Sequence, residues 1–250
     1  MSDPRITKNE PAQVALPITD LCRTLGGPRD RQLIYGDAVN VLNAGDGWPY
    51  VQADKDGYCG YVKSSALAGV SQPTHKVSAP ATHVYERPDF KSPDLLSLSF
   101  ASHLHVTGWS GKFAQIDQGF VPLTHLVEIS THTTDPAAVA AMFLGTPYLW
   151  GGNSRWGIDC SGLVQAALLA CDIPCPGDSD QQQAIGDAAT GPYLRNDLLF
   201  WKGHVALVVD TETLIHANAH AMSVTYEPLG AAVNRISDQG DGPVTAHRRI

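Results

Sequence analysis

The stretch GIDCSGLVQAALLACDI, residues 157–173, sets one cysteine between an acid and a serine at the head of an apolar run. Leu163, Val164, Ala167, Leu168 and Cys171 recur at the 3.6-residue spacing of a mostly buried helix that begins close to Cys160. A thiol at a helix start faces unsatisfied N–H groups and the positive end of the helix dipole, so its pKa is expected to fall. Cys160 is then a candidate nucleophile, to be weighed against a disulfide partner, a metal ligand or a small buried hydrophobe.

The remaining cysteines narrow the choice. They stand at 22, 59, 171 and 175, so the total of five is odd and low for 250 residues, which fits a reducing compartment better than a disulfide framework. The C-x3-C of Cys171 and Cys175 lacks a second pair of ligands, and no metal or cofactor is expected. A net charge of -8 argues against nucleic acid or an anionic membrane surface as partner. No run of about 18 apolar residues occurs, and MSDPRITKNEPAQVALPITD lacks a basic stretch followed by an apolar one. A cytoplasmic protein is expected.

A nucleophilic thiol needs a base, and a base needs an orienter. His204 opens the apolar run HVALVVD and His216 closes TLIHA, with Asp210-Thr211-Glu212 between them as a tight hairpin. Residues near the open ends of such a pair become neighbours. One imidazole would take the thiol proton while the other holds the first in the required tautomer. The other histidines read as exposed side chains in β segments or linkers.

Working outward, LIYGDAVNVL, WPYVQA and YCGYVKSSAL are strand-like runs joined by AGDG and DKDG turns. SQPTHKVSAPATH lacks periodicity and reads as a boundary, after which a second β-rich block follows. GYVKSSAL and GFVPLTHL close the two blocks alike, a weak internal repeat. DPAAVAAMFLG then supplies an Asp cap, a first-turn Pro and helix formers. The expected domains are 1–72, 73–130 and 131–250, the first two small all-β barrels and the last an α+β domain with helices before an antiparallel sheet.

YLWGG, GIDCSGLVQ, GHVALVV and LIHA together resemble the NlpC family of papain-like cell-wall peptidases, and the β blocks resemble the bacterial SH3-like domains that often precede it. The resemblance implies Cys160 as nucleophile, His204 as base, His216 as orienter and thioester chemistry. Its substrate would be the γ-D-glutamyl bond to a diamino acid in murein peptides. A subgroup acts on peptides with a free N-terminal L-Ala. For the amine pocket of that subgroup the resemblance nominates Asp159 and Ser161, together with Tyr58 in DGYCGYV and Asp37 in LIYGD, where the family carries Glu. Trp150 matches an aromatic wall. The expected activity is a γ-D-glutamyl-L-diamino acid endopeptidase of murein-peptide recycling. The alternatives are an exported hydrolase of intact wall and a degenerate wall-binding protein.

Overall fold

The structure, a computed structural model, describes residues 3–250. It divides into two compact units, one ending at Thr131 and one running from His132 to Ile250.

In the first unit, seven antiparallel strands form a sheet in the order Arg29–Ile34, Ile18–Cys22, Cys59–Tyr61, Tyr50–Ala53, Ala38–Asn43, Glu10–Val14 and Leu67–Ala68. Val14, Leu21, Leu33, Val39, Val51 and Val62 close the core, and alternation along each strand puts them on one face. The strands at 10–14 and 18–22 carry no hairpin signal in the sequence, yet the first pairs with Ala38–Asn43 and the second with Arg29–Ile34. A five-stranded and a three-stranded sheet follow. His75–Val77 is a strand inside the stretch expected to be a linker, and Ala81–Tyr85 is the first strand of the second β-rich block. The expected boundary at 72/73 therefore falls within one compact unit. Tyr35 belongs to the core of the second sheet system beside Val77, Val84 and Leu98, and the His103 N–H donates to its carbonyl at 3.0 Å. The repeat is visible in the backbone. Cys59–Tyr61 and Gly119–Pro122 are each followed by a single 3-10 turn and a short strand.

The second unit is a six-stranded antiparallel sheet in the order Asp187–Ala188, Ala246–Arg249, Leu198–Trp201, His204–Val208, Thr213–Asn218 and Ser223–Pro228. Leu198–Trp201 is buried at every position, an inner strand of the sheet with the helix Leu229–Ile236 over Leu199 and Trp201. Leu229–Ile236 packs Leu229, Ala232 and Ile236 on Leu199, Ala206, Val208 and Leu214. The helix Cys160–Ala170 packs against the strands that carry His204 and His216 and buries Leu163, Val164, Ala167 and Leu168. Each such leucine or valine contributes about 1.5–3 kcal/mol. Cys171 caps that helix and is half-buried, so the buried stripe ends at Leu168. The preceding helix, Pro136–Ala141, has Asp135 at its cap position, but the Asp135 side chain pairs with Arg195 at 2.7 Å. Asn196 Oδ1 accepts the Ala137 N–H instead, at 2.9 Å.

Candidate active site

Cys160 is the first residue of its helix and Asp159 is the cap. The Asp159 carboxylate accepts the Gly162 N–H at 2.7 Å, the Ser161 hydroxyl at 3.2 Å and the Gly151 N–H at 2.8 Å. Three donors fix one buried acid, which ties the YLWGG loop to the helix start. Gly162 has no room for a side chain, since a Cβ would stand 2.5 Å from Asn153 Oδ1 and 2.6 Å from the Gly152 carbonyl. Gln182, wholly buried, donates to the carbonyls of Ser161 and Pro176 at 2.9 Å each and braces the same turn. Asp159 and Ser161, nominated for a substrate amine, thus spend hydrogen bonds on one another and on the helix cap.

The sulfur of Cys160 is set against the first residues of the strand His204–Val208, where the Val205 N–H joins those of Ser161 and Cys160 itself in favouring a thiolate. Burial and the adjacent Asp159 charge outweigh them and push the thiol up to about 12. The expected depression from the helix dipole is overturned, chiefly because the sulfur is buried and secondly because the cap beside it is an anion. Tyr148 lies within electrostatic reach of Cys160 and Asp159, and burial lifts its phenol to about 12. It is a protonated donor at neutral pH. Backbone bonding to Met222, at 2.9 Å, holds Tyr148 at the sheet's edge.

The hairpin pairs Leu207 with Ile215 and Val208 with Leu214, so His204 and His216 are diagonal rather than directly opposed on one face. His204 Nε2 lies 2.9 Å from His216 Nδ1. His216 Nε2 in turn lies 3.0 Å from Glu227 Oε2, and Arg235 grips that carboxylate with Nε at 2.9 Å and a terminal nitrogen at 2.7 Å. Burial, followed by the positive fields of His216 and Arg235, pulls His204 down to about 3. Burial also brings His216 down to about 4, against the opposing pull of Glu227. Both rings are neutral at pH 7.

A cavity of about 190 Å³ opens beside His204, with Tyr148, Lys202, Asn218, His220 and Arg235 among its walls. Trp150 is 69% exposed and is therefore a surface aromatic rather than a core one. In the first unit, Tyr58 donates its hydroxyl to Asp30 at 2.9 Å. Asp37 is buried, accepting the Ile34 N–H at 3.0 Å and Lys55 at 2.7 Å. The acid that meets Tyr58 is Asp30, and the charge of Asp37 is already matched by a lysine.

Residues 145–235 match the NlpC/P60 family, and residues 21–67 match the bacterial dipeptidyl-peptidase SH3 domain. The second unit carries an NlpC/P60 domain. Over 221 residues the chain is 28% identical to a γ-D-glutamyl-L-lysine dipeptidyl-peptidase of Bacillus subtilis (strain 168), covering 77% of this chain and 73% of that protein. It is 26% identical to dipeptidyl-peptidase 6 of Lysinibacillus sphaericus, covering 79% and 83%. The solved structure of an NlpC/P60 family protein from Bacillus cereus ATCC 10987 shares the fold, with a TM-score of 0.79 at 20% identity over 96% of this chain and 99% of that one. The fold class is α+β, an NlpC-type domain preceded by SH3-like β structure, and the protein is a cysteine peptidase. Three residues around the NlpC/P60 thiol and histidines were not singled out from sequence. Tyr148 stands two residues before Trp150 in YLWGG. Glu227 and Arg235 become neighbours of His216 only through strand register and the packing of a helix.

Proposed function

We propose that Cys160 attacks the γ-carbonyl of D-glutamate in murein peptides with a free N-terminal L-alanine and releases L-Ala-γ-D-Glu. The observation that carries this reading is the 2.9 Å contact between His204 Nε2 and His216 Nδ1 beside the Cys160 helix, in a chain similar to two dipeptidyl-peptidases over more than three quarters of its length.

With its Nε2 engaged by His216, His204 has Nδ1 left to take the thiol proton. The sulfur adds to the carbonyl carbon, and the oxygen gains the charge. The Cys160 N–H at the helix start and the protonated Tyr148 hydroxyl are donors suited to stabilise that charge. Protonated His204 then gives its proton to the departing amine of the diamino acid, leaving a thioester on Cys160. Water, deprotonated by His204, attacks the thioester and restores the thiol. The cavity beside His204 offers Lys202 and His220 to a leaving group that bears carboxylates.

Recognition of the free amine falls to acids. Asp159 with Ser161 beside the thiol are groups of suitable chemistry, with Trp150 as an exposed aromatic wall. Free peptide is the preferred substrate over intact wall, and the cytoplasm the preferred compartment, which the five free thiols favour.

Mass spectrometry of products from L-Ala-γ-D-Glu-meso-diaminopimelate, its N-acetylated form and intact sacculi tests the reading. Release of L-Ala-γ-D-Glu from the free peptide alone is expected. Equal rates on free and acetylated peptide would remove the amine requirement, and digestion of sacculi would favour a wall hydrolase.

A further inference from the structure

Beyond the two histidines, the hydrogen-bonded chain continues for two more residues. Glu227 lies near the end of the strand Ser223–Pro228, opposite Leu214 in the register. That places it on the face covered by the helix Leu229–Ile236, which carries Arg235. His216 has an almost fully buried ring, and its charged or titratable neighbours are His204, Glu227, Arg235 and His220. Arg235 is further anchored by Gln239 Oε1 at 2.9 Å.

We propose that Glu227, pinned by Arg235, is a positioning residue that sets the tautomer of His216 and, through it, the tautomer of His204. The inference rests on the reading of His204 as the general base. An ionised carboxylate only accepts, so the nitrogen 3.0 Å from it, His216 Nε2, must carry the hydrogen. The neutral ring then has its lone pair at Nδ1, which accepts from His204 Nε2 at 2.9 Å. His204 is left with a bare Nδ1, the form able to accept a proton from the thiol. Were His216 protonated at Nδ1 instead, His204 would have to accept at Nε2 and carry its hydrogen at Nδ1. It could not then act as base. Arg235 supplies the condition on which the chain depends, because its paired hydrogen bonds hold Glu227 ionised and in one orientation.

The direct test is nitrogen-15 NMR of the histidine rings in the unaltered full-length protein at neutral pH, which needs no substrate. His216 should be the Nε2–H tautomer and His204 likewise; His216 found as Nδ1–H overturns the proposal. The functional test uses Glu227→Gln and the double variant Glu227→Leu/Arg235→Leu. The double variant removes both charges, so neither is left buried without its partner. In both, kcat should fall at least about 10-fold with KM within about 2-fold, since a wrong or mixed tautomer disables the base. The double variant should recover the melting temperature without recovering kcat. If kcat in the double variant stays within 10-fold of the parent once stability has returned, the pair is merely structural and the proposal fails. If the parent protein cleaves no murein peptide, the reading of its substrate fails, while the tautomer of His216 is still reported by the spectrum.

Discussion

His204 Nε2 stands 2.9 Å from His216 Nδ1, and that single contact leaves His204 only one nitrogen for chemistry. His216→Ala should therefore lower kcat by about 100-fold or more, with KM little changed, because the base loses its orientation and tautomer rather than its contact with substrate. His216→Asn, whose amide oxygen can accept from His204, should keep more activity than the alanine variant. Steady-state kinetics of the two variants decide this; equal losses would mean that the hydrogen bond to His204 is not what His216 contributes.

The same burial makes stability depend on pH at both ends. The folded-state pKa values of His204 and His216 are depressed to about 3 and about 4, so the unfolded chain takes up protons below about 6.5 that the folded one refuses. Stability is lost as pH falls from there toward 4. The thiol of Cys160 is raised to about 12, so the unfolded chain ionises first above pH 9 and stability is lost as pH rises. Thermal melts across pH should show a plateau between about 6.5 and 9. The alkaline slope should flatten in Cys160→Ala, and an unchanged slope there would contradict the assignment.

Asp159 caps the helix and also raises the pKa of the neighbouring thiol. Asp159→Asn keeps an oxygen for the Gly162 N–H and removes the charge. The thiol pKa should fall, so Cys160 should be alkylated faster by iodoacetamide at neutral pH, while Asp159→Ala should cost about 1–2 kcal/mol of stability from the lost cap. Alkylation at the parent rate in Asp159→Asn would show that burial alone sets the pKa.

Gly162→Ala forces a Cβ against Asn153 Oδ1 and the Gly152 carbonyl, part of the loop that Asp159 ties down. The cost should be about 1–3 kcal/mol, measured by denaturant unfolding, with activity falling alongside. A variant as stable as the parent would show that the loop yields at no cost.

The parts of the site legible in the sequence are those written in short local patterns. Cys160 announces itself by its place before an apolar helix, and His204 and His216 by two strands joined through a three-residue turn. What the sequence did not give is pairing across distance. Asn196 rather than Asp135 serves the helix at Pro136, because Arg195 draws Asp135 away. Asp30 rather than Asp37 meets Tyr58, since Lys55 and the Ile34 N–H already occupy Asp37. Glu227 and Arg235 lie 11 and 19 residues beyond His216 in the chain, and only the strand register and a packed helix bring them to it. The Cys160 thiol shifts opposite to the expectation for a related reason: a helix start is visible in sequence, whereas the burial that opposes it is not.

The proposed reaction passes through a thioester between Cys160 and the γ-carbonyl of D-glutamate. Acid quenching of the full-length protein during turnover of L-Ala-γ-D-Glu-meso-diaminopimelate, followed by peptide mass analysis, reads that bond directly. The peptide containing Cys160 should gain the mass of L-Ala-γ-D-Glu less one water, and Cys160→Ala should show neither adduct nor product. Continued release of product by Cys160→Ala, or an adduct on any other residue, would contradict the account.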